Sequence, residues 1–146
     1  MKKSRLLTYI ILCAFGLFSC SDEIGHKISG QWQLKTIEEN GVVSQVDTVF
    51  YSFQRACIFA FTVVLPNDEN NANISYGYME TPSSDDEIFI AMDTTRRDDG
   101  SLKNIVWNFK ALSGWSEYYN RFKVESYTGK KLILSSEGKI YSFKKH

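Results

Sequence analysis

The sequence predicts an all-β protein, folded as an antiparallel barrel or sandwich of about eight to nine strands. Three observations carry that expectation. Short runs rich in Val, Ile, Thr, Tyr and Phe recur at close, even spacing across residues 30–144. Clusters of Asn, Asp, Gly, Pro and Ser, the residues that make turns, stand between them. Helical spacing of apolar residues is almost absent, and no segment repeats or falls to low complexity.

Taken in order, residues 30–37 alternate, with Trp32 and Leu34 on one face and Gln31, Gln33 and Lys35 on the other. Glu38-Glu39-Asn40-Gly41 then marks a hairpin. Residues 46–54 favour strand by composition, although Val46, Val49, Phe50 and Phe53 also fit helical spacing. The stretch 56–65 is apolar on both faces, as a covered central strand is. Residues 66–71 read as a polar loop, and 73–80 resume alternation through Ile74, Tyr76 and Tyr78. After a break at 81–86 come a short strand at 87–92 and a turn at 96–100. Residues 102–110 place Ile105, Trp107 and Phe109 on one face of a further strand, whereas 111–119 lack a clean period and read as a loop or short helix. Strands at 120–127, 131–135 and 139–144 finish the chain, with turns at 128–130 and 136–138.

The beginning of the chain has a different character. Basic Met1-Lys2-Lys3-Ser4-Arg5 precedes an apolar stretch, residues 6–18, of signal-peptide length. It is shorter than the roughly 20 residues that span a bilayer comfortably. Its end, Leu17-Phe18-Ser19-Cys20, resembles the bacterial lipobox, with Phe18 where a small residue is commoner. The expectation is a cleaved signal over residues 1–19, a lipidated Cys20 with a short tether over 20–28, and one domain over 29–146. The thiol of Cys20 takes the lipid, and two or more acyl chains anchor a protein stably. Ser21-Asp22-Glu23 resembles the acidic signal of surface lipoproteins in Bacteroidetes-type bacteria. The expected location is the outer membrane, on its periplasmic face or at the cell surface.

Removal of Lys2, Lys3 and Arg5 turns a neutral precursor, 17 basic against 17 acidic residues, into a mature chain of net charge −3. That balance gives no electrostatic reason to bind nucleic acid. Content of 43% apolar and 14% aromatic residues is enough to order a chain. The two histidines, His26 and His146, flank the domain, so Ser-His, Cys-His and His-bearing metal mechanisms lack their residues. Cys13 leaves with the signal and Cys20 carries lipid, which leaves Cys57 alone in an apolar run, expected as a buried hydrophobe.

Gly30-Gln31-Trp32 on the first strand resembles the G-x-W signature of the lipocalin and calycin barrels. The ending, residues 131–144, resembles the closing hairpin of small lipocalin-like lipoproteins of Bacteroidetes-type bacteria, mostly domains of unknown function. The layout matches over nearly the whole mature chain. No T-D-Y motif follows, no C-terminal helix is present, and no Arg stands after the last strand to cover Trp32, a place left to Lys144 or Lys145. The resemblance implies an up-and-down barrel with Trp32 closing one end, against the last strand around Tyr141 and Phe143, and it implies no particular ligand. An eight-stranded barrel is just wide enough to be filled or to hold one small ligand. Tyr51, Phe53, Phe59, Phe61, Tyr76, Tyr78, Trp107, Phe109, Phe122, Tyr141 and Phe143 are candidates for its interior, some necessarily facing out. A mostly filled lumen is expected.

For chemistry, Asp85, Asp86, Glu87, Asp93, Asp98 and Asp99 offer carboxylates, but they fall at turns and strand ends where solvated acids are ordinary. Asp68, Glu69, Asn70 and Asn71 match no calcium-loop spacing. Asp47-Thr48-Val49 and Asp93-Thr94-Thr95 resemble O-glycosylation acceptor triplets of the same bacterial envelopes. No catalytic residue, metal site or cofactor is expected, and the protein is not expected to be an enzyme. Trp115, Tyr118 and Tyr119 lie in the 111–119 segment, either exposed to stack on a ligand or partner, or folded as a plug over one barrel end, which is preferred. Two functions follow: a membrane-anchored binding module taking a small apolar or glycan ligand at the barrel mouth, or an accessory envelope lipoprotein acting through protein contacts.

Overall fold

The computed structural model describes residues 27–54, 57–65, 68–81 and 86–146, with the backbone alone at 68–71. The expected signal peptide, Cys20 and most of the tether lie outside the described residues. Eight strands follow one another: β1 (Gly30–Glu39), β2 (Val42–Gln54), β3 (Ile58–Leu65), β4 (Asp68–Glu80), β5 (Glu87–Met92), β6 (Tyr119–Tyr127), β7 (Lys131–Ser136) and β8 (Lys139–Lys145). Each pairs antiparallel with the next, and β8 pairs back onto β1. The result is the expected all-β up-and-down barrel, and its closure excludes a sandwich.

Two hairpins show how sequence sets register. Asn40-Gly41 (φ 51° and 77°) joins β1 to β2, and Glu137-Gly138 (φ 52° and 76°) joins β7 to β8. Two residues at positive φ make the type I′ turn, whose twist matches that of the strands it connects. β1 is then kinked by a bulge at Lys35: Leu34 pairs with Val49 but Thr36 with Gln45. The extra β2 residues there include Asp47 (φ 59°), which forms an ion pair with Lys35 and accepts the Gln33 amide at its carbonyl (2.8 Å). Such bulges increase local twist, which helps a sheet close on itself.

Three expectations need correction. The ninth strand over 102–110 does not form: residues 103–108 are bends and turns, and Phe109–Ser113 is a short helix, α1. Asn108 at φ 69° breaks the alternation, so that Phe109 is buried while Trp107 stands 89% exposed. β4 presents the opposite face to the one its aromatics suggest: Ser75, Gly77 and Met79 are buried, and Ile74, Tyr76 and Tyr78 are exposed. It also starts at Asp68, so most of the expected 66–71 loop is strand, with Val64 pairing with Ala72 and Leu65 with Asp68. Finally, Cys57 is exposed, at φ 61° where the chain turns into β3. Burial of that apolar run begins only at Phe59.

The expected filled interior is observed. Tyr51, at its centre, has six rings around it, those of Phe53, Phe59, Phe61, Trp115, Phe122 and Phe143, at centroid distances of 4.8–6.3 Å. Of the eleven candidate interior aromatics, Tyr76, Tyr78 and Trp107 face solvent and the other eight are buried.

One end is sealed by Trp32. Its ring is fully buried, its Nε1 donates to the Ile28 carbonyl (2.7 Å), and Tyr127 packs edge-on at 6.1 Å. The β8 neighbour of Trp32 is Lys145, whereas Phe143 pairs with Leu34 and Tyr141 with Ile37, so the seal sits nearer the chain end than expected. Lys145 places its ammonium 4.5 Å from the Trp32 ring centroid and donates to the Ser29 carbonyl (2.6 Å). It occupies the place for which the sequence offered Lys144 or Lys145, and it combines a cation–π contact with a backbone cap. Gly30, at φ 111°, makes room for it: a Cβ there would lie 2.5 Å from Lys145 Nζ.

Trp32→Ala is expected to cost about 3–5 kcal/mol as a large-to-small core change. Gly30→Ala is expected to cost about 1–3 kcal/mol through backbone strain and displacement of the lysine. Urea denaturation of the two variants measures both, and a Trp32→Ala protein as stable as the parent would contradict the seal.

Candidate functional site

The opposite end of the barrel, where a ligand would enter, is covered by residues 93–118 between β5 and β6. This segment enters the barrel. Phe109 and Trp115 are buried within it, their rings 5.2 Å apart, with Phe109 also 4.8 Å from Phe61 of β3. Trp115 Nε1 donates to the Tyr51 hydroxyl (2.9 Å), which satisfies the one polar atom that Tyr51 carries into the apolar centre. Phe61 pairs with Ser75 across β3 and β4, so the space Phe109 occupies faces the small inner residues of β4. Ser75 in turn accepts the backbone N–H of Val106 (2.7 Å). At Ser75 the parity of β4 thus has a local cause: a large inner side chain there would compete with the plug.

Polar groups tie the plug to the rim. Gly114, at φ 72°, ends α1, and its carbonyl accepts Lys139 Nζ (2.6 Å) and the Tyr141 hydroxyl (3.3 Å). Ser116 donates to Glu137 (2.6 Å) on the β7–β8 turn. Asn120 accepts the Ser136 hydroxyl, while its Nδ2 is the buried side-chain nitrogen without a partner among the described residues.

Among the described residues, accessible clefts lie on the outside of this cap. A cleft of about 490 Å³ runs along it, lined by Arg97, Lys103, Trp107, Asn108, Lys110 and Tyr118 among others. Trp107 also borders a second cleft of about 330 Å³ toward Leu65 and Leu112. The loop beneath is braced from within. Arg97 donates to the carbonyls of Leu102 (3.1 Å) and Lys103 (3.3 Å), and Arg96 pairs with Leu102 in a small bridge.

Two carboxylates of this loop, those of Asp93 and Asp99, are structural, while Asp98 is exposed. Asp93 accepts from the Thr95 hydroxyl (2.6 Å), the Thr95 N–H (3.0 Å) and the Asn104 amide (2.7 Å). Asp99 accepts from the hydroxyl and N–H of Ser101. Those hydrogen bonds, first among the causes, hold both carboxyls below the usual range, so each stays ionised and neither is suited to donate a proton near neutrality. Glu87 pairs with Arg121 across the sheet (3.4 Å), and Asp85 lies outside the described residues. No cluster of three or more His, Cys, Asp or Glu side chains suited to a metal occurs among the described residues.

Of the three aromatics singled out in the sequence, the structure gives each a different role. Trp115 is core and unavailable to a ligand, Tyr118 is half-buried against Phe109 and borders the larger cleft, and Tyr119 stands exposed on the outer face of β6. Gly30 and Trp32 form the seal at the far end. In the two acceptor-like triplets, Thr48 is half-buried in β2 and Thr94 is exposed on the loop. Sequence reasoning missed the cleft because it assigned Trp107 to a strand face; the signal against that was Asn108, a residue type that tolerates left-handed backbone.

A family model described as a lipocalin-like domain matches residues 13–146. Among solved structures, the chain is similar to a lipocalin-like protein from Bacteroides uniformis, with 26% identity and a TM-score of 0.64 over 82% of this chain and 99% of that one. It is likewise similar to an uncharacterized protein from Bacteroides eggerthii, with 31% identity and a TM-score of 0.66 over 81% and 98% of the two chains. No curated protein matches.

The buried Trp115 leads to a stability prediction. Trp115→Ala is expected to cost about 3–5 kcal/mol, comparable to a core tryptophan rather than a loop one. Trp115→Phe is expected to cost about 1–3 kcal/mol by leaving the Tyr51 hydroxyl without its donor, and adding Tyr51→Phe is expected to recover part of that loss. A double-mutant cycle in urea checks this.

A pH dependence follows from the same pair. Burial, reinforced by the neighbouring Tyr141, pushes Tyr51 well above the ordinary phenol value, against a lowering by the Trp115 hydrogen bond. Tyr141 is raised by burial and by the charges of Glu137 and Glu39. A raised phenol pKa favours the folded state only while the group is neutral in both states. The stabilisation is therefore complete below the unfolded pKa of about 10 and declines above it, by at most about 1.4 kcal/mol per pH unit per tyrosine. Denaturation compared at about pH 9 and about pH 11 should show a smaller decline for Tyr51→Phe than for the parent.

Proposed function

This chain belongs to the lipocalin-like domain family, and we propose that it works as a membrane-anchored, non-enzymatic lipoprotein that binds on the outside of its capped barrel. The carrying observation is the lumen. Where a ligand-carrying barrel keeps a cavity, this one places Trp115 on Tyr51 and closes the mouth with residues 93–118. Among the described residues the centre of the barrel is filled by Tyr51, Trp115 and their neighbouring rings, whereas the clefts flanking Trp107 are open. The small ligand expected at the mouth is accordingly proposed to sit on the cap.

Anchoring rests on the signal-like residues 1–19 and the lipobox-like run ending at Cys20. Residue parity supports tethering rather than insertion. The strands turn Trp32, Leu34, Tyr51, Phe59 and Phe122 inward and set Gln31, Lys35, Arg121 and Lys123 on the outside. A lipid-embedded barrel carries the reverse pattern. The acyl chains would hold the protein at the outer membrane, on its periplasmic face or at the cell surface. The non-enzymatic reading draws on the ionised, hydrogen-bonded state of Asp93 and Asp99.

A second reading, an accessory lipoprotein working through protein contacts, is favoured by one feature. Tyr78 and Tyr119 stand exposed on either side of Ala91 in one hydrogen-bonded row across β4, β5 and β6. Exposed tyrosines of this kind suit a protein interface.

Cys20→Ser should abolish acylation and release the protein from membranes, and an unchanged membrane fraction would remove the anchor from the proposal. Long-chain fatty acid added to the folded protein should leave Trp115 shielded from quenchers. Saturable binding that exposes Trp115 would return the ligand to the lumen.

A further inference from the structure

The charges and the ring around the larger cleft identify a class of ligand; the inference rests on the proposed binding outside the cap and extends it. Three cations, Arg97, Lys103 and Lys110, line the cleft, and among the described residues no carboxylate does. Of the acids on this segment, Asp93 is bonded to Thr95 and Asn104, Asp99 to Ser101, and Glu117 to the cleft's own Lys110 at 3.3 Å. Neither Lys103 nor Arg97 makes an ion pair among the described residues; each only adds its charge to that around a loop carboxylate, Lys103 to Asp93 and Arg97 to Asp99, while Arg97 donates to the loop carbonyls. The Lys110–Glu117 pair is a surface pair, both side chains about half exposed, and such pairs contribute little and exchange readily. The cleft is therefore complementary to an anion.

Trp107 narrows the class. Its ring is 89% exposed and stands between the cleft of about 490 Å³ and that of about 330 Å³, with a third of about 260 Å³ sharing Lys103 and Val106. These clefts are surface features that run into one another, so they suit an extended molecule at home in water and do not enclose an acyl tail. A bare indole face offers the C–H face of a pyranose ring a stacking platform. Asn108 at φ 69° holds the ring out while Phe109 turns in, and the Arg97 brace keeps the segment rigid beneath it. We propose that the cleft binds an acidic oligosaccharide, one sugar ring stacking on Trp107 and a carboxylate or sulfate reaching Lys103 and Lys110.

The test uses the full chain in detergent micelles, titrated with oligogalacturonate, heparin-derived oligosaccharide, neutral maltohexaose and ATP. Expected are a shift of tryptophan emission with both acidic saccharides, binding at least about tenfold weaker for maltohexaose and ATP, and loss of affinity between about 50 and about 500 mM salt. Trp107→Ala and Lys103→Glu should each weaken acidic-saccharide binding at least about tenfold with unchanged thermal melts, since both side chains are exposed. ATP binding as tightly as the saccharides, or acidic-saccharide binding that survives both variants, would overturn the assignment. Equal binding of neutral and acidic saccharides, lost in Trp107→Ala, would overturn the acidic class alone and leave binding on the cap standing. No saccharide binding together with fatty acid entering the lumen would overturn both.

Discussion

The hydrogen bond from Trp115 to the Tyr51 hydroxyl (2.9 Å) is the constraint on which the rest of this barrel depends. A closed eight-stranded sheet encloses a lumen that side chains or a ligand must fill. A tyrosine at its centre supplies bulk but also a hydroxyl, and a buried hydroxyl without a partner costs about 1–3 kcal/mol. The donor comes from outside the sheet, on residues 93–118. Plug and wall are for that reason one packing unit. Small inner residues on β4, Phe109 against Phe61, and Gly114 under Lys139 and Tyr141 all follow from seating that indole.

The two ends of the barrel are closed by different physics. At the Trp32 end the seal is local: Ile28, Ser29, Gly30 and Trp32 are neighbours in sequence, joined by Lys145 and Tyr127 from elsewhere. At the mouth, an inserted segment contributes rings to the core and polar anchors to the rim. Its buried side is fixed by packing and its outer side is not. That asymmetry makes the outer side of the cap the place where residues are free to serve something other than the fold.

What was legible in the sequence divides along the same line. Strands, hairpins and the seal are local patterns, and Asn40-Gly41, Glu137-Gly138 and Gly30-Gln31-Trp32 announced them. A lysine of the last strand at the place of the missing arginine was legible because β8 must close onto β1, while the choice between Lys144 and Lys145 waited on the register that pairs Lys145 with Trp32. Parity on β4 was not. Tyr76 and Tyr78 look like core by composition, but contacts distant in sequence turn the other face inward: Ser75 accepts the N–H of Val106 on the plug, and a Cβ on Gly77 would lie 2.6 Å from the Ala91 carbonyl of β5. Cys57 misled because an apolar run shows where burial is affordable, not where the strand begins. Of the cleft, the sequence singled out Tyr118 as a loop aromatic but not Lys103, Trp107 and Lys110, since one residue at positive φ redirects the whole segment.

That residue, Asn108, sends two adjacent aromatics into opposite environments. Phe109 is 2% exposed and repays its place by packing on Phe61 and Trp115. Trp107 is left in water, although burying an indole's 150–250 Å² contributes about 4–6 kcal/mol at roughly 25 cal/mol per Å². Folding accounts for the first ring and not for the second. The barrel has settled its interior with residues of its own, down to the hydroxyl of Tyr51. Trp107 is held out between an apolar cleft bordered by Leu65 and Leu112 and one lined by Arg97, Lys103 and Lys110, so it is the ring on this cap that the packing of the barrel leaves available to a ligand from solution.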